Sequence, residues 1–411
     1  MNLKERIKRG IEFISRQERA FKINLLRVSS QNFFLTSTQQ YQSLYITGLG
    51  ADPMLLGLLN SVGGFAGSIV TLPTGWLADR YGIRKIFLLA TPFVALAALF
   101  FALALNWLMV IPAIIIMALA TRMLETVCPM VCGSCLKSSE RATGMQLCDT
   151  VTAIPSLFSP VVGAVIITNF GGINVEGIRP LYYLQSFGLF LIFLFVYRAF
   201  RDPHKLTVTK NPLRFVEGLR EVFNRGTMVK RWMLFRALSN IPWFVSAVYI
   251  PLYAAEIKNA DQFVLGGMAT ASMLLPILLS IAMGKLADTV GRKKVIYLMT
   301  PLYCSSCILL IFAWNPTMLL LSGVLQGFFM LGAVTEGAMT AELVPVSLLG
   351  RWYGLLGLLR GVVSMLAPLT AGIIWSIVNP ESVFLFLIAT QLLKLIIPLS
   401  MPETLTRAER R

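Results

Sequence analysis

The chain has 411 residues, of which 56% are hydrophobic and only 14% charged, against about 25% charged in a soluble domain. That balance excludes an ordinary soluble fold. The net charge of +16 does not point to nucleic acid, because the cations sit in short blocks between long apolar runs. With one histidine and no nucleophile motif or phosphate-binding loop in view, no enzyme activity, metal or cofactor is expected.

Residues 1–21 form a charged arm. Leu3, Ile7, Ile11 and Ile14 fall on one helical face amid Lys4, Arg6, Lys8 and Arg9, which predicts a helix lying on a membrane surface. No cleavable signal peptide is expected in this charged stretch. Twelve runs then follow that reach the ~20 apolar residues needed to cross ~30 Å of hydrocarbon. They are 24–47, 54–78, 86–105, 107–136, 144–168, 180–198, 232–255, 263–286, 295–313, 317–342, 352–376 and 382–400. Lipid offers the backbone no hydrogen-bond partner, so the spans should be helices, and the ten-residue alternation of a β-barrel is missing. The predicted fold is an all-α membrane protein with twelve transmembrane helices in two pseudo-symmetric six-helix bundles, 22–198 and 232–400. A linker, 199–231, joins them and a tail, 401–411, follows. An even number of spans leaves both termini on one side. That side receives most of the 36 lysines and arginines, while Arg179 and Lys258 fall on the other, so both termini are expected in the cytoplasm and the protein in the plasma membrane.

The first span is unusually polar, with Gln31, Asn32, Thr36, Ser37, Gln39, Gln40 and Gln42 interleaved with Phe33, Phe34, Tyr41 and Tyr45. Several of these are predicted to face a wet cavity, since polar groups against lipid are costly. Together with the seventh and eleventh spans they supply the substrate-binding candidates Gln31, Asn32, Phe34, Gln39, Asn240, Trp243, Phe244 and Arg360, an amide-and-aromatic set suited to an amphipathic solute. Tyr45 and Tyr253, near the outer ends, read as packing or interfacial residues. In the fourth span Arg122 and Glu125 are three apart and share a face. Cys128, Cys132 and Cys135 also share a face and read as small packing residues rather than a soft-metal site. Asp149 in the fifth span and Glu336 in the tenth are ionisable groups inside apolar runs, with Arg360 as the expected partner of Glu336 and Glu342 as a rim residue. Lys394 is predicted to snorkel to an interface. Arg27 and Arg236 read as residues near the cytoplasmic ends of their helices. In the linker, Leu213, Val216, Leu219, Val222 and Phe223 give a helical stripe, and the lone His204 lies beside it.

The phrase GWLADRYGIRK at 75–85 returns as GKLADTVGRKK at 284–294. Gly75, Leu77, Ala78, Asp79, Gly82 and Lys85 match Gly284, Leu286, Ala287, Asp288, Gly291 and Lys294 at an offset of 209 residues. The same offset pairs Arg27 with Arg236, Ser30 with Ser239, Pro92 with Pro301 and Asn106 with Asn315, and Arg141 and Gly144 match Arg351 and Gly354 at 210. The chain is a duplication in parallel orientation, which is a plan used by transporters that bind their ligand near the midplane. Gly82 and Gly291 would permit tight reversals.

The repeated frame resembles the signature loop of the major facilitator superfamily, and span count, central linker and duplication extend that resemblance over nearly the whole chain. The resemblance implies a cytoplasmic latch made of Gly75, Asp79, Arg80, Gly82 and Arg84, with Asp288, Gly291 and Arg292 in the second copy; Asp79 is its key residue. Arg122 matches an arginine that the family's fourth-helix motif links to proton coupling, while Glu125 stands where glutamine is usual. Residues 155–164 loosely resemble an antiporter signature, with Pro160 and Gly163 matching and Pro155, Ser159 and Ala164 replacing glycines. The function so implied is secondary active transport of a small organic solute by alternating access, coupled to H+ or Na+. The proton-coupling candidates are Arg122, Glu125, Asp149 and Glu336. Efflux of amphipathic compounds by antiport is the leading form, and proton-coupled uptake of an organic, anionic solute is the alternative. A sensor or scaffold that no longer transports belongs to a different class. The solute, the coupling ion and membrane lipid are the expected partners, and the monomer the functional unit.

Overall fold

A computed structural model of the chain describes residues 12–136, 141–202, 226–343 and 349–401. Among these every regular element is a helix. They are α1 (Arg19–Gln39), α2 (Gln42–Gly48), α3 (Pro53–Tyr81), α4 (Ile83–Leu103), α5 (Val110–Cys135), α6 (Arg141–Asn169), α7 (Val175–Ala199), α8 (Thr227–Glu256), α9 (Gln262–Val290), α10 (Arg292–Phe312), α11 (Pro316–Glu342), α12 (Leu349–Ile377) and α13 (Pro380–Leu399), with a 3-10 turn at Trp107–Met109 before α5. Eleven helices are long and apolar enough to cross a membrane.

The first predicted span differs from the rest. It is two helices, α1 and α2, broken at Gln40 and Tyr41. Within it Ser37 and Thr38 donate to the carbonyls of Phe34 and Leu35 and, with Thr36, are buried, while Gln39 is exposed and Asn32, Gln40 and Gln42 are half-buried. Tyr45 and Tyr253 are fully buried packing residues.

The duplication has physical content at two places. Gly82 (φ +87°) and Gly291 (φ +111°) occupy the left-handed region between α3 and α4 and between α9 and α10, where a side chain would be strained. Asn106 and Asn315 are the caps of the equivalent helices that follow, each accepting a backbone N–H three residues on, at 3.1 and 2.8 Å. A cap of this kind contributes ~1 kcal/mol, which explains why both copies carry asparagine. Pro92, Pro155, Pro160 and Pro301 sit inside continuous helices.

The chain forms two compact units. The first holds α1 through Thr38, the stretch Ala66–Gly163 and the chain from Arg179 through α7. Its core packs Phe87, Val94, Ala98, Val127, Leu189, Val196 and Phe200, with Phe13 and Ile14 of the arm laid against it. Residues 1–11, the rest of the expected surface helix, lie outside the described residues, as do His204, the linker stripe and the tail beyond Met401. Ser159 of α6 donates to the carbonyl of Phe33, so the serine in a glycine position of the antiporter-like stretch ties α6 to α1.

The second unit holds Gln39–Phe65, Ala164–Ile178 and the chain from α8 onward. Gly323 and Gly327 let α11 press on the backbone of α9, where a Cβ would stand 2.7 Å from the Met268 carbonyl and 2.8 Å from that of Ser272. Trp232 and Trp352 are fully buried and both donate to Thr340, at 3.0 and 2.9 Å.

Candidate functional site

The second unit contains a buried charge network drawn from three helices. Glu336 of α11 accepts from Arg236 of α8 at 2.6 Å through one carboxylate oxygen. Its other oxygen accepts from Lys394 of α13 and from Ser239 of α8, both at 3.2 Å. Glu336 is 5% exposed and Lys394 4%, while the Arg236 side chain keeps 25% of its surface. Two cations against one anion leave a net charge of +1. Lys394 lies 5.4 Å from the Phe235 ring centre, a further cation–π contact. Leaving Glu336 or Lys394 without an opposite charge in so dry a place is costly, so the anion needs at least one of its two cations.

Two expectations are corrected here. Arg360 is not the partner of Glu336; its guanidinium lies 5.7 Å from the Phe244 ring centre. Lys394 does not snorkel, because the carboxylate inside the bundle is a better partner than a distant interface. Arg236 lies nine residues into α8, about 14 Å along the helix at 1.5 Å per residue. Its matched partner Arg27 is buried in α1, bonded to Asn24 (3.0 Å) and Gln31 (2.7 Å) and stacked 4.2 Å from the Phe87 ring centre. The repeat thus places the same cation twice, once against a carboxylate and once against neutral amides. The signal that could have found this network was the 209-residue pairing of the two arginines beside Ser239.

Arg122 and Glu125 meet as expected, at 2.9 Å on α5. Gly67 of α3 admits the Arg122 stem, since a Cβ there would lie 2.8 Å from Cγ. The Glu125 side chain is 62% exposed, so this pair is screened and of small structural value. Glu125→Gln should change unfolding free energy by less than about 0.5 kcal/mol, read as an unchanged melting temperature in detergent.

The remaining candidates divide. Gln31 is occupied by Arg27, and Phe34 packs into the space above Gly188 of α7. Asn240 donates to the Arg236 carbonyl at 2.7 Å and so sits beside the network. Gln39 and Trp243 are exposed, and Asn32 and Phe244 half-buried. The side chains of Asp149, Asp79 and Asp288 lie outside the described residues. Gly75 and Gly284 have open space where a Cβ would be. Arg292 is buried. Cys132 and Cys148 pack in the first unit's core, the six cysteines are free thiols, and among the described residues no cluster could hold a metal.

Arg84 has partners that the motif did not suggest. Its guanidinium donates to the Tyr197 carbonyl (3.0 Å) and its backbone N–H to Asp202 (2.7 Å). Asp202 therefore caps α4 from across the unit, at the point where Gly82 has no side chain to do so. Asp202→Ala should lower stability by about 1 kcal/mol, measurable as a lower melting temperature that Asp202→Asn partly restores.

At the end of the second unit opposite Gly291, the early segments are knitted to the later helices. Tyr41 donates to the Gln262 carbonyl at 2.9 Å and Ser43 to that of Val248 at 2.8 Å. Tyr249, fully buried, donates its hydroxyl hydrogen between the carbonyls of Pro53 (3.0 Å) and Pro368 (3.1 Å). Gly57, Gly64 and Gly372 make the contact as close as backbone allows: a Cβ on Gly57 would stand 2.5 Å from the Pro368 oxygen, and one on Gly64 2.6 Å from the Ser364 oxygen. A cavity of about 630 Å³ lies at this same end, bordered by Thr47, Asn174, Glu256 and Asn259, apart from the ion network.

The family description "Major Facilitator Superfamily" matches residues 28–266 and 232–409. Two uncharacterized MFS-type transporters of Mycobacterium tuberculosis, MT1926 (strain CDC 1551) and Rv1877 (strain H37Rv), are each 32% identical over 128 residues, 30% of this chain; the match spans 18% of their length. The fold is shared with the nucleoside transporter NupG (TM-score 0.74, 14% identity, 93% of this chain and 99% of that one). It is also shared with a POT family transporter solved with 5-aminolevulinic acid (0.71, 13%, 93% and 95%) and with a bacterial homolog of the human lysosomal transporter Spinster, solved inward-facing and occupied (0.68, 13%, 92% and 94%).

Proposed function

The chain belongs to the major facilitator superfamily, and from that premise we propose that it is a secondary active transporter for a small organic solute, working by alternating access and coupled to protons. The observation that carries the coupling is Glu336, a buried carboxylate held between Arg236 and Lys394. Protonating it would remove both ionic contacts at once and release two cations, so one proton would change the packing of three helices. Glu125 and Asp149 are the first-half candidates for the same role. With the basic turns on the cytoplasmic side, the closely packed end of the second unit around Tyr249 faces outward.

Efflux of an amphipathic compound by proton antiport is the leading form, on the strength of the half-buried Phe244 and exposed Trp243 on the helix that carries Arg236 and of the Pro160–Gly163 stretch. The net charge of +1 on the network favours a second reading, uptake of an organic anion that takes the place of Glu336 on Arg236 once the carboxyl is protonated. The test is reconstitution in liposomes with an imposed pH gradient, following solute flux and internal pH across a panel of cationic amphiphiles and carboxylates. Flux that needs the gradient is expected; flux of nothing, or flux indifferent to the gradient, overturns the reading. Cations moving toward the acidic lumen support antiport, and carboxylates moving with protons support symport. A Glu125→Gln protein with undiminished proton movement would take Glu125 out of the mechanism.

A further inference from the structure

The two copies of the glycine turn are an internal control. What both share answers to the fold; what only one has calls for another reason. Around the first turn, Trp76, Arg80 and Tyr81 stand where the second copy has Lys285, Thr289 and Val290. The three form one cluster. The Arg80 guanidinium lies 5.1 Å from the Trp76 ring centre and 5.3 Å from that of Tyr81, and the Lys85 ammonium also lies 5.3 Å from the Tyr81 ring centre. The two rings meet edge to face at 6.4 Å. None of this is buried: Trp76 is 48% and Tyr81 43% exposed, and Arg80 and Lys85 are exposed as well. In the second copy Thr289 instead bonds back to the Lys285 carbonyl of its own helix, and Val290 brings no ring.

We propose that Trp76, Arg80, Tyr81 and Lys85 form a docking site for the headgroup of an anionic phospholipid. The cluster sits at the last turn of α3 and the first of α4, two helices whose apolar lengths cross the bilayer, so its depth is that of the headgroups. Tryptophan and tyrosine are at home there, with ring bodies toward the acyl chains and polar edges toward water. Their faces hold the two cations in place before any ligand arrives, which spares a headgroup the cost of ordering them. A planar guanidinium beside an ammonium matches a phosphodiester, Arg80 offering two parallel donors and Lys85 a point charge. Arg84, occupied by Tyr197 and Asp202, takes no part. Zwitterionic lipid carries its own cation and gains less from this pair of charges.

Native mass spectrometry of the whole protein, purified with an equimolar mixture of phosphatidylglycerol and phosphatidylcholine, tests the site. Arg80→Gln/Lys85→Gln is expected to weaken retained phosphatidylglycerol by more than tenfold, since each cation near an anionic headgroup is worth about fivefold. Lys285→Gln/Lys294→Gln removes as many cations from the second turn and should leave that retention near wild type. Equal losses in the two variants, or none in either, would overturn the proposal. A second measurement needs no charge change: brominated phosphatidylglycerol should quench tryptophan emission of the wild type more than brominated phosphatidylcholine does, and Trp76→Phe should remove the excess. The same quenching by both lipids would overturn it too.

Discussion

Glu336→Gln is expected to destabilise the protein strongly, by about 3–5 kcal/mol, while Lys394→Met costs little or nothing. Charge counting gives this order. The network of Arg236, Lys394 and Glu336 has a net charge of +1. Removing the anion leaves the buried Lys394 and the half-buried Arg236 facing one another across helices that otherwise offer Ser239 and the Phe235 ring. Removing Lys394 leaves a neutral Arg236–Glu336 pair at 2.6 Å, and methionine fills much of the vacated volume. Chemical or thermal unfolding in detergent reads both values. Equal losses, or a larger loss for Lys394→Met, would show that the charges are not coupled as described. Glu336→Gln/Lys394→Met, with one buried cation, should recover part of the loss. In liposomes any of these that removes Glu336 should also uncouple flux from the pH gradient, and Lys394→Met should retain coupling.

Gly57→Ala is expected to open the sealed end of the second unit. The added methyl would lie 2.5 Å from the Pro368 oxygen and 2.6 Å from the Tyr249 hydroxyl, so the backbone or the tyrosine must move. Overpacking of this sort costs about 1–3 kcal/mol, which shifts the balance away from the sealed form by roughly tenfold or more. Ser43 is 3% exposed and bonded to Val248 in this state. A cysteine placed at Ser43 in a cysteine-free background should therefore react slowly with a membrane-impermeant maleimide, and about tenfold faster when Gly57→Ala is added. Tyr249→Phe, which loses two hydrogen bonds but adds no bulk, should give a smaller rise. Unchanged labelling in Gly57→Ala would mean that this contact does not govern access.

Much of the architecture was legible because span formation depends on a local quantity, apolar length, and the duplication on a spacing that needs no geometry. The paired asparagines at 106 and 315 were visible as a match, and capping now supplies their reason. The break in the first span was not legible: Gln40 and Tyr41 carry no glycine or proline signal, and Tyr41 is fixed by the distant Gln262 carbonyl. The ion network was misassigned for a related reason. Partners 100 and 58 positions apart leave no periodic trace, and the rule that lysine and arginine seek an interface assumed that no carboxylate lay nearer. Asp202 escaped notice because it stands at the edge of the linker, where nothing in its neighbours announces that it caps another helix.

The three-helix network also orders the birth of the molecule. Arg236 is synthesised 100 residues before Glu336, and Lys394 58 residues after it. At about 5–20 residues per second, the arginine waits roughly 5–20 seconds for its counter-ion. During that interval α8 is a poorly self-sufficient insert, with a lone cation and no partner inside the bilayer. The second half of the chain is thus not completed one helix at a time, since the charge on α8 is matched only once α11 and α13 have followed.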